Sequence, residues 1–217
     1  MTPKMALEPS LMTLGRIVRR NMKIIFATGN KDKLKEINRV FEGTGYEIIS
    51  MKDAGFEGDI EETGETFEEN SYIKAKAVWD KLGGLVMADD SGFMVDYLDG
   101  APGVYSARFM GEDADYATKC GAIIERLKGV PAEKRGAGFK TVITAILPDG
   151  KVVTAEGEIR GIVNDREEGT NGFGYDPILF VPEIGRTTAQ ISMDEKNAIS
   201  HRGKALREMK EKLKNIL

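Results

Sequence analysis

Two runs dense in β-branched residues, GFKTVITAIL at 138–147 and KVVTAEGEIRGIV at 151–163, stand on either side of Pro148, Asp149 and Gly150. Such residues suit the pleated surface of a strand, and a short turn-forming triplet between two such runs marks a hairpin. Any fold for this chain must therefore hold a long antiparallel ladder. Elsewhere strand and helix alternate. KIIFAT at 23–28 is β-branched and aromatic, then Gly29 and Asn30 punctuate it and Leu34, Ile37 and Phe41 recur at helical spacing. A short run at 46–51 predicts a second strand. Thr66 with Glu69 three residues on predicts a capped helix with Ser71, Ala75, Val78, Trp79 and Leu82 along one face, stopping at Gly83 and Gly84. LVMADD then reads as a buried strand, SGFMVDYL continues it, 113–128 reads as a helix, ILFV as a short strand, and the chain from Ser192 as helix. The expected architecture is α/β, with helices flanking a mixed sheet.

With 217 residues, 41% of them apolar, 30% charged and only 7 Pro, the chain can bury a large core, which excludes wholesale disorder. The first 21 residues end in basic side chains and carry no apolar run of signal-peptide length, so they are set aside as an extension and folded sequence is expected over 22–217 as one unit. No membrane span is expected. One cysteine, Cys120, excludes an internal disulfide and fits a reducing cytoplasm, and one histidine, His201, excludes a multi-His metal centre. Any metal must be held by oxygen. A net charge of −4 argues against general affinity for nucleic acid. The basic stretch Arg202, Lys204, Arg207, Lys210, Lys212 and Lys214 keeps a nucleotide- or nucleic-acid-binding regulator as the alternative from another class, though the acidic net charge favours reading it as the solvated face of an amphipathic helix.

Four constellations carry chemistry. TGNKDK (Thr28, Gly29, Asn30, Lys31, Asp32, Lys33) sits at a strand-to-helix turn, where the helix dipole and two lysines suit a phosphate; a solvated turn has the same look. Glu61 and Glu62 in a loop, and Asp89 and Asp90 at the end of a buried-looking strand, suit an oxygen-liganded cation such as Mg²⁺ with substrate phosphates, because charge emerging from LVMA is costly unless paired. A turn or cap at Ser91 and Gly92 is the plainer alternative. Phe173, Gly174, Tyr175 and Asp176 could offer an aromatic face and a hydrogen-bonding edge to a flat base, or pack in the core. Lys196, His201 and Arg202 could donate to carbonyl and phosphate oxygens, or complement a helix end.

Taken in order, ATGNKDKLKEI, EETGETFEEN, ADDSGFMVDYLDGAPGVYSARF, FGYDPILF and EKNAISHRGKAL resemble the non-canonical purine nucleoside triphosphate pyrophosphatases, the inosine triphosphatase family, over residues 23 to about 214. The resemblance implies an elongated, two-lobed mixed α/β fold, a homodimer, and Mg²⁺-dependent hydrolysis of ITP, dITP and XTP to the monophosphate and pyrophosphate. It also implies Asp90 as general base and as metal ligand with the EETG segment, Glu61 ahead of Glu62 there, with Asp89 a further candidate. The substrate positions it implies are those of the first motif (28–33), Ser91, the FGYD run (173–176), Lys196, His201 and Arg202. A broader nucleoside triphosphate diphosphatase acting on other modified nucleotides is the neighbouring alternative.

Overall fold

A computed structural model describes residues 22–216; the leading extension and the last residue lie outside them. Seven strands form one mixed sheet in the order β2-β1-β3-β4-β5-β6-β7. β1 (Met22–Phe26) lies parallel to both β2 (Tyr46–Ser50) and β3 (Leu85–Val95), with helix α1 (Lys31–Phe41) crossing between β1 and β2. From β3 onward the sheet is antiparallel through β4 (Gly136–Ile146), β5 (Val152–Val163), β6 (Leu179–Val181) and the two-residue β7 (Arg186–Thr187). The expected hairpin is present: Ile146 faces Val152, and Gly150 closes the turn at φ 86°, a conformation open to glycine. β7 is too short to carry a periodic signal and was not expected.

Helix α2 (Phe67–Leu82) has the anticipated capping box, with Glu69 N–H donating to Thr66 Oγ1 and Thr66 N–H to the Glu69 carboxylate, each at 3.1 Å. α3 (Tyr116–Arg126) is shorter than the expected 113–128 because the Asp115 carboxylate accepts from Thr118 N–H at 2.8 Å and starts the helix there. The basic end of the chain is two helices, α4 (Met193–Ile199) and α5 (His201–Lys214). Ser200 makes the break: its N–H closes α4 on Lys196 C=O, and its hydroxyl caps α5 at Gly203 N–H. His201 and Arg202 thereby become the first residues of a new helix instead of the middle of an old one. That helix lies directly on the sheet, since a Cβ at Gly157 of β5 would fall 2.2 Å from the His201 carbonyl oxygen.

Successive strand side chains point to opposite faces, and in β3 this alternation divides the core. Leu85 and Met87 pack with Ile37 and Phe41 of α1 and Leu206 and Met209 of α5, whereas Val86 and Ala88 pack with Ala75 and Val78 of α2. Farther along, Phe93 and Val95 join Cys120 and Ile123 of α3 and Tyr175 and Ile178 in another cluster. Asp89 and Asp90 sit between these cores, and by the same parity they face different helices. Among the described residues no helix is long and apolar enough to cross a membrane.

Candidate active site

A cleft of about 390 Å³ opens over the middle of β3. One end is formed by Thr28, Gly29, Asn30 and Lys33, the floor by Glu62, Lys74, Asp90 and Ser91, and the other end by Phe173, Tyr175, Asp176, Lys196, His201 and Arg202. Six separated stretches of sequence thus meet.

At the first end Asn30 caps α1, its side-chain oxygen accepting from Asp32 N–H at 2.9 Å and Lys33 N–H at 3.2 Å, so the helix N-terminus faces the cleft mouth. Lys33 reaches inward, its Nζ 3.0 Å from each Asp89 oxygen. Burial draws the Lys33 ammonium below its ordinary pKa, against the pull of Asp89. Lys31 and Asp32 are not part of the lining; Lys31 is exposed, and Asp32 pairs outward with Lys35.

Asp89 is fully enclosed. Besides Lys33 it accepts Arg202 Nε at 3.1 Å and Ser91 Oγ at 2.9 Å, so both oxygens are occupied by protein donors. Burial alone would raise its pKa, but Lys33, Arg202 and Lys74 overcome that and hold the carboxyl well below the usual range. Asp90, on the opposite face, accepts Lys74 Nζ at 2.9 Å through Oδ1, while its Oδ2 is buried without a partner. Burial pushes the Asp90 carboxyl up; Lys74 opposes this and Glu62 adds to it. Lys74 is also 2.9 Å from Glu62, and although burial would lower its pKa the surrounding carboxylates raise it. Of the EETG glutamates, Glu62 reaches the cleft, drawn by Lys74; Glu61, favoured from sequence, is exposed and outside the lining. Among the described residues no three His, Cys, Asp or Glu side chains are grouped to enclose a metal. The carboxylates that face the cleft are few, which suits a hard cation completing its shell from water and phosphate oxygens.

At the other end Arg202 donates to Asp89, to Glu36 and, at 3.3 Å, to Ser91 Oγ. Glu36 in turn accepts Lys196 Nζ at 2.9 Å, and Lys196 reaches Asp176 Oδ2 at 2.5 Å. Asp176 also accepts Phe173 N–H and Thr188 Oγ1, each at 2.8 Å, so it anchors the loop. Gly172 permits this close fold, because a Cβ there would lie 2.2 Å from Asp176 Oδ2 and φ is 73°. Charges therefore alternate in one buried row: Lys33, Asp89, Arg202, Glu36, Lys196, Asp176. Burial would raise the Glu36 carboxyl, but Arg202 and Lys196 pull it below its ordinary value.

Phe173 lines the cleft with Lys196 Nζ 4.8 Å and Arg202 5.5 Å from its ring centre. Tyr175 packs into the core, stacked on Phe93 at 5.0 Å with its hydroxyl donating to Ser106 C=O. His201 stacks on Phe139 at 4.8 Å, and its Nδ1 is buried without a partner. Burial, with Arg202 and Lys196 beside it, holds the imidazole well below its ordinary pKa, so it is neutral at pH 7. Lys74 and Glu36 were not anticipated. Lys74 carried a signal: it falls at the core-facing spacing of Ser71, Ala75 and Val78, where a lysine needs a buried anion. Glu36 likewise shares the inner face of α1 with Lys33 and Ile37.

The sequence profile of the Ham1 family matches residues 24–212. The dITP/XTP pyrophosphatase of Caldanaerobacter subterraneus subsp. tengcongensis is 51% identical over 191 residues, covering 88% of this chain and 95% of that protein. That of Clostridium perfringens is 45% identical over 201 residues, covering 90% and 98%. Among solved structures, a HAM1 protein from Coxiella burnetii aligns with a TM-score of 0.81 at 36% identity, covering 89% of this chain and 99% of its own.

Proposed function

The chain belongs to the Ham1 family, and on that premise we propose that it hydrolyses the non-canonical purine nucleoside triphosphates ITP, dITP and XTP to the nucleoside monophosphate and pyrophosphate. The observation that carries this reading is Asp90 Oδ2, a buried carboxylate oxygen with no partner, at the centre of a cleft with a lysine and helix N-terminus at one end and an aromatic shelf at the other. Buried polar atoms are normally satisfied, so an orphan that faces a cleft awaits a ligand.

In this reading the triphosphate lies toward Thr28, Gly29, Asn30 and Lys33, and the base toward Phe173 and His201. Asp90, its carboxyl made more basic by burial, orients water against the α-phosphorus and takes its proton. Lys74 holds the other Asp90 oxygen and keeps the carboxylate aimed. Pyrophosphate departs with its charge met by Lys33. Glu62 and the second lone pair of Asp90 Oδ2, the first being turned to the water, would hold a divalent cation, which we take to be Mg²⁺ and which when bound would neutralise charge on the phosphate oxygens. Lys31, Asp32 and Glu61 are given no direct part. Neutral His201 can donate to the 6-oxo group of hypoxanthine or xanthine; against the 6-amino group of adenine that donor is left unpaired, at a cost of about 1–3 kcal/mol. A homodimeric state, implied by the family resemblance, and a cytoplasmic location, which the single cysteine fits, complete the reading.

Phosphorus NMR of the products of ITP, XTP, ATP and GTP with Mg²⁺ tests it. Wild type is expected to give IMP or XMP with pyrophosphate and to turn over ATP and GTP poorly. Asp90→Asn is expected to lower kcat by about 10²–10⁴-fold, the usual worth of a general base. Orthophosphate release, or an Asp90→Asn enzyme of wild-type rate, overturns it.

A further inference from the structure

The two neighbouring aspartates of β3 are both buried and each accepts from a lysine, but they differ in what they face. Asp90 lines the cleft and keeps an oxygen free, whereas Asp89 lies beneath the cleft with both oxygens taken by Lys33, Arg202 and Ser91. The pleat turns the two carboxylates to opposite faces, Asp89 toward Lys33 and Arg202 and Asp90 toward Lys74. Lys33 belongs to α1 at the phosphate end and Arg202 to α5 at the base end, and Asp89 is the carboxylate that touches both. Three of the roughly four lone-pair sites of the Asp89 carboxylate accept from two cations and a hydroxyl, and the side chain is buried outside the cleft lining, so it presents no free oxygen to a metal there. Charge-assisted bonds of this kind fix both direction and distance.

We infer that Asp89 is a positioning residue for both ends of the cleft, setting the Lys33 ammonium for the triphosphate and the Arg202 guanidinium under the base shelf, and that it takes no part in metal binding. This rests on the pyrophosphohydrolase reading above. It has a sign that separates it from simple electrostatics. Removing a negative charge beside an anion site would by itself tighten anion binding; losing the anchor of Lys33 weakens it.

The test compares wild type, Asp89→Asn and Asp90→Asn. Titration calorimetry with inorganic pyrophosphate, without divalent cation, is expected to show about tenfold weaker binding for Asp89→Asn, the worth of one charge-assisted hydrogen bond. The ratio of kcat/KM for ITP to that for ATP is expected to fall by about the same factor as Arg202 loses its anchor. Mn²⁺ affinity of the nucleotide-free protein, read from the free-ion electron paramagnetic resonance signal, should be the same in Asp89→Asn as in wild type and reduced in Asp90→Asn. Tighter or unchanged pyrophosphate binding, an unchanged substrate ratio, or a loss of Mn²⁺ equal to that of Asp90→Asn overturns the inference. If Asp89→Asn does not fold, the double variant Lys33→Gln/Asp89→Asn leaves no unpaired lysine at that point. Pyrophosphate affinity equal to that of Lys33→Gln alone then supports the inference, and a further tenfold loss overturns it. A wild-type protein that binds no pyrophosphate overturns the function and the inference together, whereas normal wild-type binding with an unaffected Asp89→Asn overturns the inference only.

Discussion

Replacing Glu36 with Gln changes one buried atom and removes one charge from the middle of the alternating row. Glu36 is 4% exposed and accepts from both Lys196 and Arg202, which are 4% and 2% exposed. Removing one partner of a buried ion pair costs about 3–5 kcal/mol because the survivor keeps its desolvation penalty without its counter-charge. Here each cation retains one other carboxylate, Asp176 for Lys196 and Asp89 for Arg202, which places the cost at the lower end, about 3 kcal/mol. In a domain of this size each kcal/mol moves Tm by roughly 2–4 °C, so the melt should fall by roughly 6–12 °C. Urea unfolding followed by circular dichroism measures the difference directly, with an unchanged denaturant slope showing that the same surface is exposed. Asp80→Asn breaks the exposed Lys76 pair and serves as the comparison, expected within about 0.5 kcal/mol of wild type. The pH dependence has a definite sign. The folded-state pKa of Glu36 is depressed, so its contribution is complete above the ordinary glutamate value of about 4.3 and is lost as pH falls through the folded value. The gap between wild type and Glu36→Gln should be flat near neutrality and close in acid. A variant within about 1 kcal/mol of wild type at neutral pH would refute the reasoning, since that is what an exposed pair contributes.

Gly92→Ala puts a Cβ 2.1 Å from the Gly103 carbonyl oxygen and 2.8 Å from the Phe67 ring, and should cost about 1–3 kcal/mol in urea unfolding; a neutral result would mean the loop at 103 moves freely. Thr66→Ala removes the α2 cap and is expected to cost about 1 kcal/mol by the same assay, with no change in the affinity for IMP. Phe173→Leu should weaken IMP in calorimetry by about 1–3 kcal/mol, the range for a base on an aromatic ring, while leaving stability near wild type; undiminished IMP affinity would remove the ring from base recognition.

The sheet and its helices were legible because their signals are local. The hairpin at Pro148, Asp149 and Gly150, the capping box at Thr66 and the strand through Asp89 and Asp90 each need only neighbouring residues, and each lies where expected. The break at Ser200 was not legible: a serine inside a helical pattern is ordinary, and its hydroxyl becomes a cap only because α5 must turn to lie on Gly157. At the site, the motifs located the cleft but not the direction of each side chain. Lys31 and Lys33 look equivalent in sequence, yet two residues along a helix carry the side chain to the other side, from solvent to cleft. Asp89 and Asp90 look like a pair, yet the pleat assigns them to different helices. Arg202 and Asp176 read in sequence as groups for a ligand, yet the structure gives most of their hydrogen bonds to protein partners, Arg202 to Asp89 and Glu36 and Asp176 to Lys196 and Thr188. Glu36 and Lys74 each stand at a core-facing helix position, but that spacing signals burial without naming the partner that makes the charge tolerable.

The buried row also bears on how such a sequence can change over generations. Each interior charge of the row is shared by two neighbours of opposite sign, so altering one residue disturbs both, and for three of its links the partner that would have to change lies more than a hundred positions away, as between Arg202 and Asp89 or Lys196 and Glu36. A single substitution there leaves a buried charge without one of its partners and carries that cost until the second change comes. Drift is left to the exposed pairs, such as Lys76 with Asp80, where either partner can be lost at little cost. The chemistry of the cleft is thus protected less by the groups that perform it than by the arrangement of those that hold them.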